Sequence, residues 1–261
     1  IMERVESNTP KVVLYTFATS PYGLKVQAFL AYKGIPYETV YVSPFNMSET
    51  LPVGNTVPVL TIDGESKNNS QAIAHWLDER FPKRPLYPED APSCVSELDD
   101  WVHHCMIPAN FRFARPSLSF ALPVQLLNAW RLGSVMYRTV PNKAIGAWRF
   151  AWPLFLSWTP FVRREAENAP GRSLLDTARH VGSRINKELK EGPFMCGRSE
   201  LSVADLSAYA LITFGYEAGL TGGDALLRKR RIQEWALRVK AKLDPSLPLV
   251  PDKIRVRSLG D

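Results

Sequence analysis

Short apolar runs alternate with helical stripes over the first third of the chain, and helical stripes fill the rest. Residues 11–16, Lys-Val-Val-Leu-Tyr-Thr, form a β-branched apolar run that predicts a buried strand. Ser20-Pro21 supplies a capping hydroxyl and a proline at the first helical position. Val26, Phe29 and Leu30 then keep helical spacing up to Gly34, which ends the helix. Strands are predicted over 37–42 and 56–62, and Asp63-Gly64 turns the chain into a short fourth strand. Asn69-Ser70 opens a helix that turns Ile73, Ala74, Trp76 and Leu77 inward and stops at Phe81-Pro82. Four prolines between 82 and 92, with little periodicity, read as a linker.

Beyond the linker the stripe Leu174, Ala178, Val181, Ile185 and Leu189 is the clearest helical face. Ser202-Val-Ala-Asp205 reads as an Asp variant of the capping box, opening a helix that runs to Gly219 and stops at Gly222-Gly223. A last helix carries Leu226, Ile232, Trp235 and Val239 and ends before Asp244-Pro245. The order β-α-β then β-β-α over 11–81 is a compact α+β unit joined to an all-helical one.

Composition changes this picture little. The 261 residues are 45% hydrophobic and 22% charged, an ordinary globular mixture. The net charge of +6 is dispersed apart from Arg228 to Arg231, which reads as a solvated helix face. Nucleic-acid binding would call for several such clusters with aromatic residues between them, so no nucleic-acid partner is expected. Cys94, Cys105 and Cys196 are few, odd in number and widely spaced, which argues for a reducing compartment. Cys105 and Cys196 read as small buried hydrophobes. The polar stretch from Ile1 to Pro10 does not resemble a signal peptide, and the apolar window 144–161 is broken by Arg149, Pro153 and Pro160. Cytoplasmic location follows as the expectation.

Four segments in order then carry a resemblance. Ser20-Pro-Tyr-Gly-Leu-Lys-Val26 is similar to the Ser-Pro-Phe-Gly-x-Arg-Val segment of serine-type glutathione transferases, such as the plant tau class. Thr56-Val57-Pro58-Val59-Leu60, Asn69-Ser70-Gln-Ala-Ile73 and the pair Ser202/Asp205 agree in order and spacing. The chain thus resembles the cytosolic glutathione transferases over nearly its whole length. The resemblance implies a thioredoxin-like glutathione-binding domain (10–82), a linker (83–92) and an all-helical domain (93–250). An aromatic-rich insertion lies near 140–170, and a tail (251–261) follows.

The implied chemistry is activation of glutathione, a co-substrate, as its thiolate for attack on an apolar electrophile, with detoxification as the family's usual role. Ser20 is the implied catalytic donor, and the same hydroxyl reads independently as a helix cap. Thr19 and Tyr15 are rival donors close in sequence. Tyr22, Val57, Pro58, Asn69 and Ser70 are the implied glutathione contacts, with a cis Val57–Pro58 bond presenting the Val57 backbone to the cysteinyl part. Asn69 departs from the family's usual acid, so it would accept from the ligand's ammonium without charge assistance. Asp100, in a helix the family packs across a homodimer interface, would offer a carboxylate to the partner's glutathione. Trp101 and Phe113 are the second-substrate pocket candidates, chosen from an aromatic set that includes Phe111, Trp130, Trp148 and Trp152.

No metal is expected, because adjacent His103 and His104 point about 100° apart on a helix and no further ligand recurs at zinc spacing. Without cysteines at 20 and 23, disulfide reduction by this site is disfavoured. Three other readings stay open. The first is glutathione-dependent reductive cleavage of the β-etherase or dehalogenase kind, which the helix around Leu98-Asp-Asp-Trp101 faintly resembles. The second is a non-catalytic binding or interaction protein of the same fold. The third is attachment to a membrane surface through residues 140–161, which is not favoured. The insertion itself reads equally as a lid, as extra core or as a membrane contact.

Overall fold

The computed structural model describes residues 10–44, 47–90, 93–117, 119–140 and 148–260, without the side chains of 148–150. Outside the described residues fall the N-terminal stretch 1–9, the linker positions 91–92, insertion residues 141–147 and the Trp148 side chain, so the expectations made there stand as expectations.

Four strands form one sheet: β1 (Val12–Thr16), β2 (Glu38–Tyr41), β3 (Val59–Ile62) and β4 (Glu65–Asn68). Their order is β2-β1-β3-β4, with β2 parallel to β1 and the remaining pairs antiparallel. Successive residues of a strand face opposite sides, and the two faces bury different cores. Val12, Leu14, Leu60 and Ile62 face the main core, whereas Tyr15 and Val59 join a small cluster with Val42 and Leu51. Helix α1 (Pro21–Lys33) and helix α3 (Ser70–Arg80) cover the main face. The short α2 (Met47–Thr50) is a single turn that apolar periodicity could not announce.

The start of α1 is set by two residues of its motif. Ser20 is its N-cap, with extended backbone and Oγ accepting from Gly23 N–H at 3.2 Å. Gly23 has no side chain because none fits: a Cβ there would stand 1.9 Å from Thr16 Oγ1. That close approach brings the N-terminus of α1 down onto the end of β1.

The remainder is helical. Helix α4 (Ser93–Trp101) runs through a π-helical turn (Val102–Met106) into α5 (Ile107–Ala114). Helices α6 (Leu122–Thr139), α7 (Trp148–Trp158), α8 (Pro160–Asn168) and α9 (Leu174–Glu188) follow, then α10 (Val203–Glu217), α11 (Thr221–Leu227) and α12 (Arg230–Lys240). Helix α10 is apolar on every side and buried along nearly its whole length, so it is the axis of this half and packs on α1. The predicted capping box is formed: Asp205 accepts from Ser202 N–H and Oγ–H, and also from Met195 N–H and Trp235 Nε1–H. Replacing Ser202 by Ala is expected to cost about 1 kcal/mol, read as a lowered midpoint in a urea melt. The tail is packed down, with Ile254 and Leu259 buried.

Two expectations are corrected. Gly222-Gly223 does not stop a helix but lies inside α11, where Gly223 lets it approach α10; a Cβ on Gly223 would meet Tyr216 N at 2.4 Å. Helix α10 ends before them, at Glu217, with Gly219 at positive φ (76°), and the extended backbone of Lys229 divides the expected last helix in two, leaving Leu226 in α11 and Ile232, Trp235 and Val239 in α12. The second concerns sulfur. Cys94 and Cys196 are joined in a disulfide between the first turn of α4 and a short 3₁₀ turn (Met195–Gly197), and Cys105 is free. The partners are 102 residues apart, so spacing alone could not pair them. With this pairing, the cysteine argument for a reducing compartment loses its footing, and Cys196 is not an unpaired hydrophobe.

Candidate functional site

A cavity of about 800 Å³ opens between the sheet and the helices that follow it. One wall comes from the three loops at the end of β1, before β3 and before α3. Ser20 comes from the first of these and Tyr22 from the first turn of α1 after it, Val57 and Pro58 from the second, and Asn69 from the third with Ser70 opening α3. The sequence-predicted glutathione contacts are thus gathered on a single wall.

Ser20 is 5% exposed, and its hydroxyl uses a lone pair on Gly23 N–H, which leaves its proton to donate. Helix α1 has no acidic residue in its first turn, so its positive end is not neutralised locally. The rival donors are engaged elsewhere. Thr19 donates to Met136 Sδ at 3.3 Å, and Tyr15 packs in the small cluster away from the cavity wall.

The Val57–Pro58 peptide bond is cis, as expected. Asn69 caps α3 from a left-handed backbone (φ 69°), its side-chain oxygen accepting from Gln71 and Ala72 N–H. That oxygen is therefore committed to the helix. Ser70 is 2% exposed and its Oγ, on the cavity wall, has no hydrogen-bond partner in the protein. Buried hydroxyls are nearly always paired, so a ligand oxygen or nitrogen at this point would complete the site. Tyr22 contributes a neutral phenol: burial first, then the charge of Glu165, pushes its pKa up to about 12.

Asp100 turns toward its own chain, with Oδ1 accepting from Gln71 Nε2 at 2.8 Å beside the α3 N-terminus. Its neighbour Asp99 is buried, ion-paired with Lys25 at 2.8 Å, and accepts from Ser207, Tyr87 and Gln71. The Lys of the Ser20 motif thus anchors α1 to α4 and α10 and takes no place in the cavity.

The opposite wall is apolar. Phe113 lines it, together with Phe111 from the same helix. Trp101 does not: it sits outside the cavity, with the Arg184 guanidinium of α9 5.9 Å from its ring centre. Helical spacing identified an aromatic face there but not the neighbour it meets. Trp130 is likewise outside, and 45% exposed. What sequence reasoning left open was the role of the insertion. Helices α7 and α8 wall the cavity with Trp152, Phe155, Leu156, Phe161 and Val162, and Leu211 and Phe214 of α10 close its floor. The signal was present in the aromatic density of 148–161, but nothing local gave its direction. Trp158 and Leu154 remain exposed on the outer side. No helix among the described residues is long and apolar enough to cross a membrane. Among the described residues, Cys94, Glu188 and Cys196 form a three-ligand cluster, and its two sulfurs are bonded to each other; His103 and His104 form none.

Comparison with known proteins bears on the wall first described. Residues 14–85 match the family described as glutathione S-transferase, N-terminal domain. The Arabidopsis thaliana glutathione S-transferase U9 is 33% identical over 110 residues, covering 40% of this chain and 44% of that protein. The chain spans less than half the length of such curated relatives. A glutathione S-transferase structure from Rhodospirillum rubrum F11 aligns over 94% of this chain and 95% of its own, with a TM-score of 0.57 and 20% identity. The β-etherase LigF from Sphingobium sp. strain SYK-6 aligns over 93% and 98%, with a TM-score of 0.56 and 21% identity. At these identities the two structures show a shared fold.

Proposed function

We propose, on the premise that residues 14–85 match the N-terminal domain of the glutathione S-transferases and that the whole chain shares their fold, that the protein is a serine-type glutathione transferase. The observation that carries this reading is the unpartnered, buried Ser70 Oγ on the same cavity wall as the donor-competent Ser20 hydroxyl. The tripeptide's α-carboxylate would lie at the N-terminus of α3, taking Ser70 Oγ–H and the field of the helix end. Its cysteinyl backbone would pair with Val57, and its sulfur would sit at Ser20. The apolar wall then receives an electrophile, to which the thiolate adds.

Since Asn69 has already spent its oxygen on the α3 cap, it is a weak partner for the ligand's ammonium. The carboxylate of Asp100, which accepts from Gln71 Nε2 at 2.8 Å, is a source of negative charge beside the α3 N-terminus. Ser70→Ala is expected to weaken glutathione binding about tenfold, the value of one hydrogen bond to a charged group at its lower end, measured by isothermal titration. Wild-type protein that binds no glutathione would sink the reading; unchanged affinity in Ser70→Ala would remove Ser70 from the site.

A further inference from the structure

A helix at a protein surface ordinarily turns a polar face to water. Helix α7 does not. From Phe150 to Trp158 its sequence holds no charged residue, and it is apolar toward the cavity and away from it. On the outer side Leu154 is 53% exposed and Trp158 79%.

Helix α7 packs along α6, and its C-terminal end is held beside the segment that leads into α6. Ser157 Oγ donates to Pro116 O at 3.4 Å, and Arg115 Nη2 donates to Ser157 O. The last turns of α7 therefore lie next to the first turns of α6. Phe120, two residues before α6, is fully exposed. Leu126 and Leu127 stand four and three residues before Trp130, so the three share one stripe of α6, and each is more than 40% exposed. An apolar patch thus gathers where α6 begins and α7 ends. Exposed apolar area gathered in one place marks a contact surface.

The charge around the patch points to what covers it. The chain's cations are spread, but its acids are not. Between Asp100 and Glu165 there are eight Lys or Arg and no acidic residue, so the rest of this +6 chain is slightly acidic. Arg115, Arg131 and Arg138 donate to backbone carbonyls, which leave their charge uncancelled. Arg163 and Arg164, just past Trp158, are paired with Glu167 and Glu165 and add less. A second copy of the chain fits poorly here, since a symmetric contact would set one acid-free segment against another. Phe120 and Trp158 also stand out from the surface, which suits a fluid interface that closes around them. Tryptophan, aliphatic side chains and nearby cations together are the composition of a segment lying at the lipid headgroups.

We propose that this patch seats the protein on an anionic lipid bilayer, with Phe120 and Trp158 entering the headgroup layer and the cations facing lipid phosphates and carboxylates. The chain lies on the membrane, since no helix among the described residues is long and apolar enough to cross it. Sequence alone did not favour a membrane contact. The exposed α6 and α7 stripes, and their meeting at one end, are what the structure adds. The inference is independent of the transferase reading.

The test is co-sedimentation of the full chain with vesicles of phosphatidylcholine, alone or with about 30% phosphatidylserine. Wild type is expected to partition at least about tenfold more strongly onto the anionic vesicles, and raising the salt to about 0.5 M should weaken that several-fold. The double variant Phe120→Ser/Trp158→Ser should lose about tenfold or more on anionic vesicles, with an unchanged thermal midpoint because both side chains are exposed. Leu175→Ser, which removes an exposed leucine from α9, should bind as wild type does. Wild type that binds neither vesicle, or both equally, overturns the proposal. So does equal binding by wild type and the double variant, or an equal loss in Leu175→Ser. Sedimentation velocity without lipid covers the remaining occupant: a wild-type dimer that becomes monomeric in the double variant would make the patch an interface between copies and overturn the membrane assignment.

Discussion

Replacing Ser20 by Ala is expected to return the thiol of bound glutathione toward its free pKa of about 8.5. A hydrogen bond to a charged group contributes roughly 1.5–3 kcal/mol, and one pKa unit is about 1.36 kcal/mol, so the hydroxyl accounts for one to two units. At pH 7 the thiolate fraction, and with it the conjugation rate, should fall roughly 8- to 25-fold. Thiolate ultraviolet absorbance against pH, in wild type and variant, measures this directly. Because Ser20 also caps α1 through Gly23 N–H, Ser20→Ala should lose about 1 kcal/mol of stability. Ser20→Asp separates the two roles: it keeps a capping oxygen, offers sulfur no donor and adds a like charge. Its thiol should titrate even higher while α1 stays capped. An equal thiol pKa in wild type and Ser20→Ala would remove Ser20 from the mechanism.

The second large effect is structural. Lys25 is 0% exposed and its ammonium faces Asp99, 1% exposed, so Lys25→Met leaves a buried carboxylate without its counter-charge. Breaking such a pair from one side costs about 3–5 kcal/mol, and the thermal midpoint should drop on the order of 10 °C. The loss should depend on pH in a stated sense. In wild type, burial works to raise the Asp99 carboxyl, but the Lys25 charge and hydrogen bonds from Lys25, Ser207 and Gln71 outweigh it and hold it below the ordinary value. A depressed folded value means stability that is fully present above the unfolded pKa of about 3.9 and is lost as pH falls through the folded one. Without Lys25 only the raising influence and the neutral donors remain, so the variant suffers less from acid. The gap between the two proteins in urea melts should be widest near neutrality and should narrow below about pH 4. A gap independent of pH would show that Lys25 acts through packing alone.

Lys25 also marks how far the sequence could be read. Its place in the Ser-Pro-Tyr-Gly-Leu-Lys-Val segment was visible, but its partner lies 74 residues away and no periodicity links them. The same division runs through the whole site. Ser20, Val57, Pro58, Asn69 and Ser70 were legible because each sits at a strand or helix end where local chemistry (a cap, a proline, a turn) fixes the backbone. The aromatic wall was not. Phe113 and Trp101 share helical spacing and residue type, and only the packing of α8 and α9 sends one into the cavity and the other toward Arg184. The glycines of α11 illustrate a rival cause for a familiar signal, since a helix stop and a close helix crossing ask for the same missing Cβ. His103 was visible as half of a His-His pair, and the π-helical turn that carries it has no signature that hydrophobic spacing could reveal.

The Cys94–Cys196 bond gives glutathione, the proposed occupant of the cavity, a second point of purchase on the molecule. Glutathione is a disulfide reductant by thiolate exchange, and both sulfurs belong to partly exposed residues. At millimolar concentration the tripeptide therefore pulls the folding equilibrium in opposite directions. Occupying the native cavity raises stability by mass action. Opening a cross-link that closes a loop of about 100 residues removes up to roughly 4–5 kcal/mol by chain entropy. A ligand-induced shift in melting temperature would report the difference of these two terms rather than affinity. Glutathione sulfonate, which keeps the tripeptide shape and cannot exchange, isolates the first of them.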